Sequence, residues 1–167
     1  MSNYTVPGLS DVDSKKLIDE LQARLNDYND LHLILKHAHW NVVGQNFIAV
    51  HEMLDPQVDV VRGFVDETAE RVATMGLSPK GTPGAITSER TWEDYALGRA
   101  DTLAHISALD KVYDGVIADH RNAIDEIGKL DPMAEDLLVG QTRELELFQW
   151  FLRSFISSAT GELKHQG

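Results

Sequence analysis

The chain has 167 residues, 43% of them hydrophobic, with 12 Gly, 5 Pro and no Cys, which is one domain's worth of core-forming sequence and excludes disulfides, thiolate metal sites, iron–sulfur clusters and cysteine nucleophiles. With 27 acidic against 15 basic side chains the net charge is −12, so the surface repels nucleic acid and anionic membranes and attracts cations. No apolar run is long enough to span a membrane, and residues 1–14 lack the basic start and apolar stretch of a secretory signal, so a cytoplasmic protein is expected.

Residues 1–10 read as a flexible tail. Beyond them Leu17, Leu21, Leu25, Tyr28, Leu31 and Leu35 recur at steps of three and four, one buried helical stripe. Ser10, Asp11 and Asp13 are its candidate caps, and it runs to about Trp40, before Gly44. A second helix over 47–75 carries Val50, Leu54, Val58, Val61, Val65 and Val72 at similar steps. Gly76, Pro79, Gly81, Pro83 and Gly84 then break the chain into a long connection, within which Thr91-Trp92-Glu93-Asp94 reads as the start of a short extra helix. A third long helix is expected over 99–127. The fourth begins at Asp131-Pro132, a cap followed by a first-turn proline, and ends near Ser157; residues 158–167 read as a short tail. Four long helices with one long connection between the second and third make an all-α, ferritin-like four-helix bundle over 11–157.

Several polar residues fall on or beside these apolar stripes. At about 100° per residue His39 lies in line with Leu21 on the buried face of the first helix, where an imidazole is either a hydrogen-bonded core group or a ligand. On the second helix His51 and Asp55 are four apart, as are Asp66 and Glu70, and all four lie within about 100° of one another. Ion pairing at the surface, with Arg62 as a partner, is one reading of that set; metal ligation is the other. Asp55 and Asp66 are about 16 Å apart along the helix, so one ion cannot be held by both pairs of one chain. Residues 55 and 66, and residues 51 and 70, share one midpoint between Val60 and Val61. A two-fold axis there would lay His51 opposite Glu70 of a second copy and Asp55 opposite its Asp66, giving two identical sites per dimer. Mixed imidazole and carboxylate donors suit Fe(II), Mn(II) or Zn(II), for redox chemistry or metal-assisted hydrolysis.

The run His37-Ala38-His39-Trp40-Asn41, the stretch from Asn46 to Asp55, and Asp66-Glu67-Thr68-Ala69-Glu70-Arg71 together resemble the Dps family, the DNA-binding proteins from starved cells, or mini-ferritins. The likeness covers about 12–157. It implies a hollow dodecamer built from two-fold dimers, with iron-oxidising centres at the two-fold interfaces. His39, His51 and Asp55 would come from one subunit and Asp66 and Glu70 from the other, all five as metal ligands and as the catalytic set. The substrates it implies are Fe(II) and, in preference to oxygen, hydrogen peroxide, with ferric mineral stored inside. Trp40 resembles a family tryptophan that traps stray radicals; packing at the helix end is its alternative role. Asp131, Glu135 and Asp136 fall where similar proteins have acidic pores, and where carboxylates also favour a helix N-terminus.

Two departures stand out. Many family members bind DNA through lysine-rich extensions, whereas no Lys or Arg precedes Lys15 here and the last ten residues carry only Lys164. Twelve such chains would carry a formal charge of about −144, so DNA binding is not expected. Pro56 follows Asp55 directly and would remove a helical bond to Glu52; a continuous helix is expected, against the alternative of a new helix starting there. His37, about 200° from the His39 stripe, is expected in solvent, and His105, His120 and His165 fit no ligand spacing. The intrachain centre of an ordinary ferritin needs two Glu-x-x-His pairs, and the one such spacing here is Glu162 to His165. The leading expectation is an iron oxidase and store. A metal-dependent hydrolase using the same ligands and a DNA-compacting protein are the alternatives.

Overall fold

The computed structural model describes residues 6–157, so the expectations for 1–5 and 158–167, including Lys164 and the Glu162–His165 spacing, lie outside the described residues. Four long helices form: α1 (Asp11–Asn41), α2 (Phe47–Thr74), α4 (Thr102–Ile127) and α5 (Pro132–Ile156), with a short α3 (Pro83–Glu89) between the second and third. Three of the four starts have a side-chain cap. Ser10, Asp101 and Asp131 accept from the backbone N–H of Asp13, Ala104 and Ala134 at 3.1, 2.9 and 3.1 Å. The exception is α2, which follows a tight corner with Gly44 at φ +90° and Asn46 at φ 62°; that left-handed backbone turns the chain through the α1–α2 corner in a few residues.

Two short strands sit beside this corner. Val42–Val43 (β1) pairs in parallel with Ala100–Asp101 (β2), Val42 against Ala100 and Val43 against Asp101, and Thr102 donates to the Gln45 carbonyl at 3.1 Å. The bridge ties the end of α1 to the start of α4, so the connection over residues 75–101 must return along the bundle's whole length. The core is correspondingly in two parts. Near the corner Leu31, Leu35, Val50, Leu54, Ile106, Leu109 and Leu152 are packed together. At the far end Leu17, Leu21, Val72, Met75, Ile127 and Leu138 form a second cluster, with Val6 and Leu9 against it. Truncating a fully buried leucine such as Leu35 to Ala costs about 2–5 kcal/mol.

The stripe on α1 understates its burial, for Arg24 to Leu31 are all buried. The crossover covers the polar flank. Gln22 exchanges hydrogen bonds with the Lys80 backbone at 2.9 and 2.8 Å, Asn26 donates to Glu89 at 3.0 Å, and Asp30 accepts from Arg90 at 2.7 Å and from the Trp92 indole. These same bonds explain a correction. The extra helix is not at Thr91–Asp94, where the chain is irregular, but at Pro83–Glu89. Pro83 is at its first position, with φ already fixed for a helix, whereas Arg90 and Trp92 are both drawn onto Asp30. The continuous α2 with Pro56 inside it is as expected.

Candidate metal centre

The end of α1 and the first turns of α2 bring His39, His51 and Asp55 together. Their rings stack, centroids 3.6 Å apart and planes 22° from parallel. His39 Nδ1 lies 2.8 Å from the His51 carbonyl, and His51 Nδ1 lies 3.0 Å from the His39 carbonyl. A carbonyl only accepts, so each Nδ1 carries a ring proton, and the neutral form of each ring therefore has its lone pair on Nε2, the form in which histidine binds metals. His39 is 5% exposed, as its place on the buried stripe predicts. Phe47, the first residue of α2, packs its ring against His51 at 5.1 Å.

Asp55 completes the group from the next turn of α2. Its Oδ1 is 3.3 Å from His39 Nδ1 and accepts from Lys36 Nζ at 2.5 Å. The Lys36 hydrogen bond is the main reason its carboxyl is held below the usual range, with the nearby imidazoles adding to it. The histidine and carboxylate pattern does not include Lys36, although a cation three places before His39 on one helix is close enough to be found from spacing.

Asp66 and Glu70 lie further along α2, exposed, and apart from the histidines. The apolar face of α2 is carried by Leu54, Val61, Phe64 and Thr68, so the ligand-bearing side is the flank turned away from the chain's own core. The four polar residues of α2 thus lie beside its apolar stripe, His51 and Asp55 half-buried and Asp66 and Glu70 exposed. Among the described residues neither Asp66 nor Glu70 is bridged to Arg62, and no three His, Asp or Glu side chains of one chain form a group able to hold a metal ion. Glu70 lines a groove between α2 and the start of α5 together with Glu67, Arg71 and Asp136.

The acidic start of α5 is divided in its tasks. Asp131 is 6% exposed, caps α5 and takes Arg71 at 2.5 Å, so it is no open pore carboxylate; Asp136 is exposed. Trp40 is 67% exposed, so within one chain it does not serve as helix-end packing. His37 is half-buried rather than solvated, edge-on to Tyr95 at 5.9 Å. His105 and His120 are core groups: Tyr95 Oη meets His105 Nδ1 at 2.8 Å, and His120 Nδ1 meets the Val116 carbonyl at 2.7 Å. Burial lowers the pKa of both, that of His120 to about 3.

Comparison with known proteins agrees with this architecture. A family model described as a ferritin-like domain matches residues 18–160. A protein of Mycolicibacterium smegmatis named "DNA protection during starvation protein" is 57% identical over all of this chain and 91% of its own length. The "Fine tangled pili major subunit" of Haemophilus ducreyi is 49% identical, over 97% of this chain and 86% of its own. Among solved structures, a tetragonal form of Mycobacterium smegmatis Dps superposes with a TM-score of 0.93 at 57% identity, covering 99% of this chain and all of that one. DpsA14 from Streptomyces coelicolor superposes at 0.92, again at 57% identity, covering 97% and 96%. The chain therefore belongs to the ferritin-like family and, within it, to the Dps proteins.

Proposed function

We propose that the protein is a ferroxidase and iron store, acting in the cytoplasm. It oxidises Fe(II), with hydrogen peroxide in preference to oxygen, at centres shared between two-fold-related chains, and keeps the ferric mineral inside a hollow dodecamer. The observation that carries this reading is the stacked pair of His39, at the end of α1, and His51, on α2, each with Nδ1 turned to a backbone carbonyl and Nε2 left for a ligand, beside the Asp55 carboxylate.

His39, His51 and Asp55 of one chain bind the Fe(II) substrate together with Asp66 and Glu70 contributed by the second chain. Imidazole and carboxylate donors suit Fe(II), and the carboxylates suit the Fe(III) product still better. Each turnover takes two Fe(II), one electron from each, and one hydrogen peroxide, whose O–O bond is broken; with two protons the products are two Fe(III) and two waters. Delivering both electrons to one peroxide avoids release of hydroxyl radical. Glu67 and Asp136, beside Glu70 in the groove, lie on the approach by which Fe(II) reaches the site, and the net charge of −12 draws cations to it.

The relative's name speaks of DNA protection. In this chain that protection is chemical, the removal of iron and peroxide together, because a particle of such charge has little counterion release to gain from DNA. The test is the double variant Asp66→Ala/Glu70→Ala. We expect at least about a tenfold loss in the rate of Fe(II) oxidation by peroxide, with an unchanged elution volume on a sizing column. Wild-type rates in that variant would sink the assignment.

A further inference from the structure

The two histidine rings stack, but the hydrogen bonds that orient them run to each other's backbone and not between the rings. The His39 carbonyl belongs to the last turn of α1, where the following residues have left the helix and no i+4 amide returns to it. His51 Nδ1, at 3.0 Å, fills that gap. In the other direction His39 Nδ1 lies at 2.8 Å from the His51 carbonyl in the second turn of α2, with Asp55 Oδ1 as a further acceptor at 3.3 Å. Every group facing either Nδ1 is therefore an acceptor, and the stacked rings fill the space between the two helix ends.

We infer that His39 and His51 form a reciprocal clasp across the α1–α2 corner, in which the backbone carbonyl of each fixes the ring tautomer and orientation of the other, so that the histidine part of the site is pre-formed before any metal arrives. The inference rests on the proposed function only in taking the pair as ligands; the clasp itself is a property of the metal-free chain. It also makes the corner a positioning element. The left-handed residues Gly44 and Asn46 set how α2 leaves α1, and hence whether both carbonyls meet both rings. Metal binding at Nε2 then needs no change of tautomer and no loss of ring rotation, costs that a free histidine would meet on binding.

Nitrogen NMR of the metal-free, full-length, assembled protein, carrying labelled histidine, tests this. In the wild type both rings should show protonated Nδ1 and bare Nε2, with the Nδ1–H form in about tenfold excess. Because the acceptors are backbone atoms, His51 should keep that tautomer in His39→Ala, and His39 should keep it in His51→Ala. Gly44→Val, which forces a β-branched residue into left-handed backbone, should shift both rings toward a mixture together and weaken Zn(II) binding at least about threefold. A mixed or Nε2-protonated population in the wild type overturns the clasp, as does loss of the tautomer when only the neighbouring side chain is removed. The expected tautomers in a protein that fails to oxidise Fe(II) would leave the clasp standing and remove the functional reading instead.

Discussion

Lys36 places a positive charge on the one carboxylate that a single chain brings to its histidine pair. An arriving cation meets that charge first, and an ion pair with both partners partly exposed is worth at most about 1 kcal/mol. Lys36→Met should therefore strengthen Zn(II) binding at the site about threefold, measured by titration of the metal-free protein; unchanged or weaker binding would show that Lys36 does not compete there. Two buried groups remote from the site set the acid response. His120 is held at about 3 by burial, against an ordinary value of 6.5, so between those values the unfolded chain takes up a proton that the folded chain refuses. Its contribution is complete above pH 6.5 and is lost as pH falls. Asp27, buried beside Arg24 and near other carboxylates, is raised to about 7 from 3.8, and acts oppositely: the folded chain holds the proton, so stability grows as pH falls from 7 toward 4. The Tm of His120→Phe relative to wild type should rise on acidification from pH 6.5 to 4.5, while that of Asp27→Asn should fall between pH 8 and 5. Parallel slopes would contradict both assignments.

Helices were legible where one periodic pattern decided them, and less so where a second chain segment intervened. The bounds expected for α1, α2 and α5 lie within a residue or so of those found. The polar flank of α1 gave no sign of burial, because Gln22, Asn26 and Asp30 are covered through hydrogen bonds to a connection sixty residues on; periodicity within one helix does not contain that contact. Pro83 stands among glycines and prolines that punctuate the chain, yet a proline opens a helix as readily as it breaks one, and the short helix starts on it. The β1–β2 bridge, two residues a side, is too short to leave an alternating pattern. Asp131 was legible as a cap but not as the partner of Arg71. Asp131→Ala removes both interactions and should cost about 2 kcal/mol, whereas Asp131→Asn keeps the cap and should cost less than half as much, by thermal unfolding; equal losses would mean the cap contributes nothing. Pro56 leaves the Glu52 carbonyl short of its helical partner. Pro56→Ala should raise stability by about 1–2 kcal/mol, the regained bond outweighing the freedom restored to the unfolded chain.

Over the whole molecule, the spacing of His51, Asp55, Asp66 and Glu70 about one midpoint is what a two-fold pair of chains would use, and a single chain leaves Asp66 and Glu70 exposed on α2. The place of Lys36 beside His39 was within reach of spacing, but its bond to Asp55 and the carbonyl clasp were not, since both depend on how α1 and α2 meet at the corner. The net charge of −12 sets the expectation for nucleic acid: no retardation of DNA at 50 or 200 mM salt, where a shift at the lower salt would revise the proposed chemical protection. The most direct test of the central claim is iron co-elution. Fe(II) would be added to the protein without oxygen, hydrogen peroxide supplied at one per two irons, and the mixture passed down a sizing column. Soluble ferric iron should elute with a particle of twelve chains. Iron that precipitates as it does without protein would contradict that claim and leave the His39–His51 pair a binding site without an oxidase.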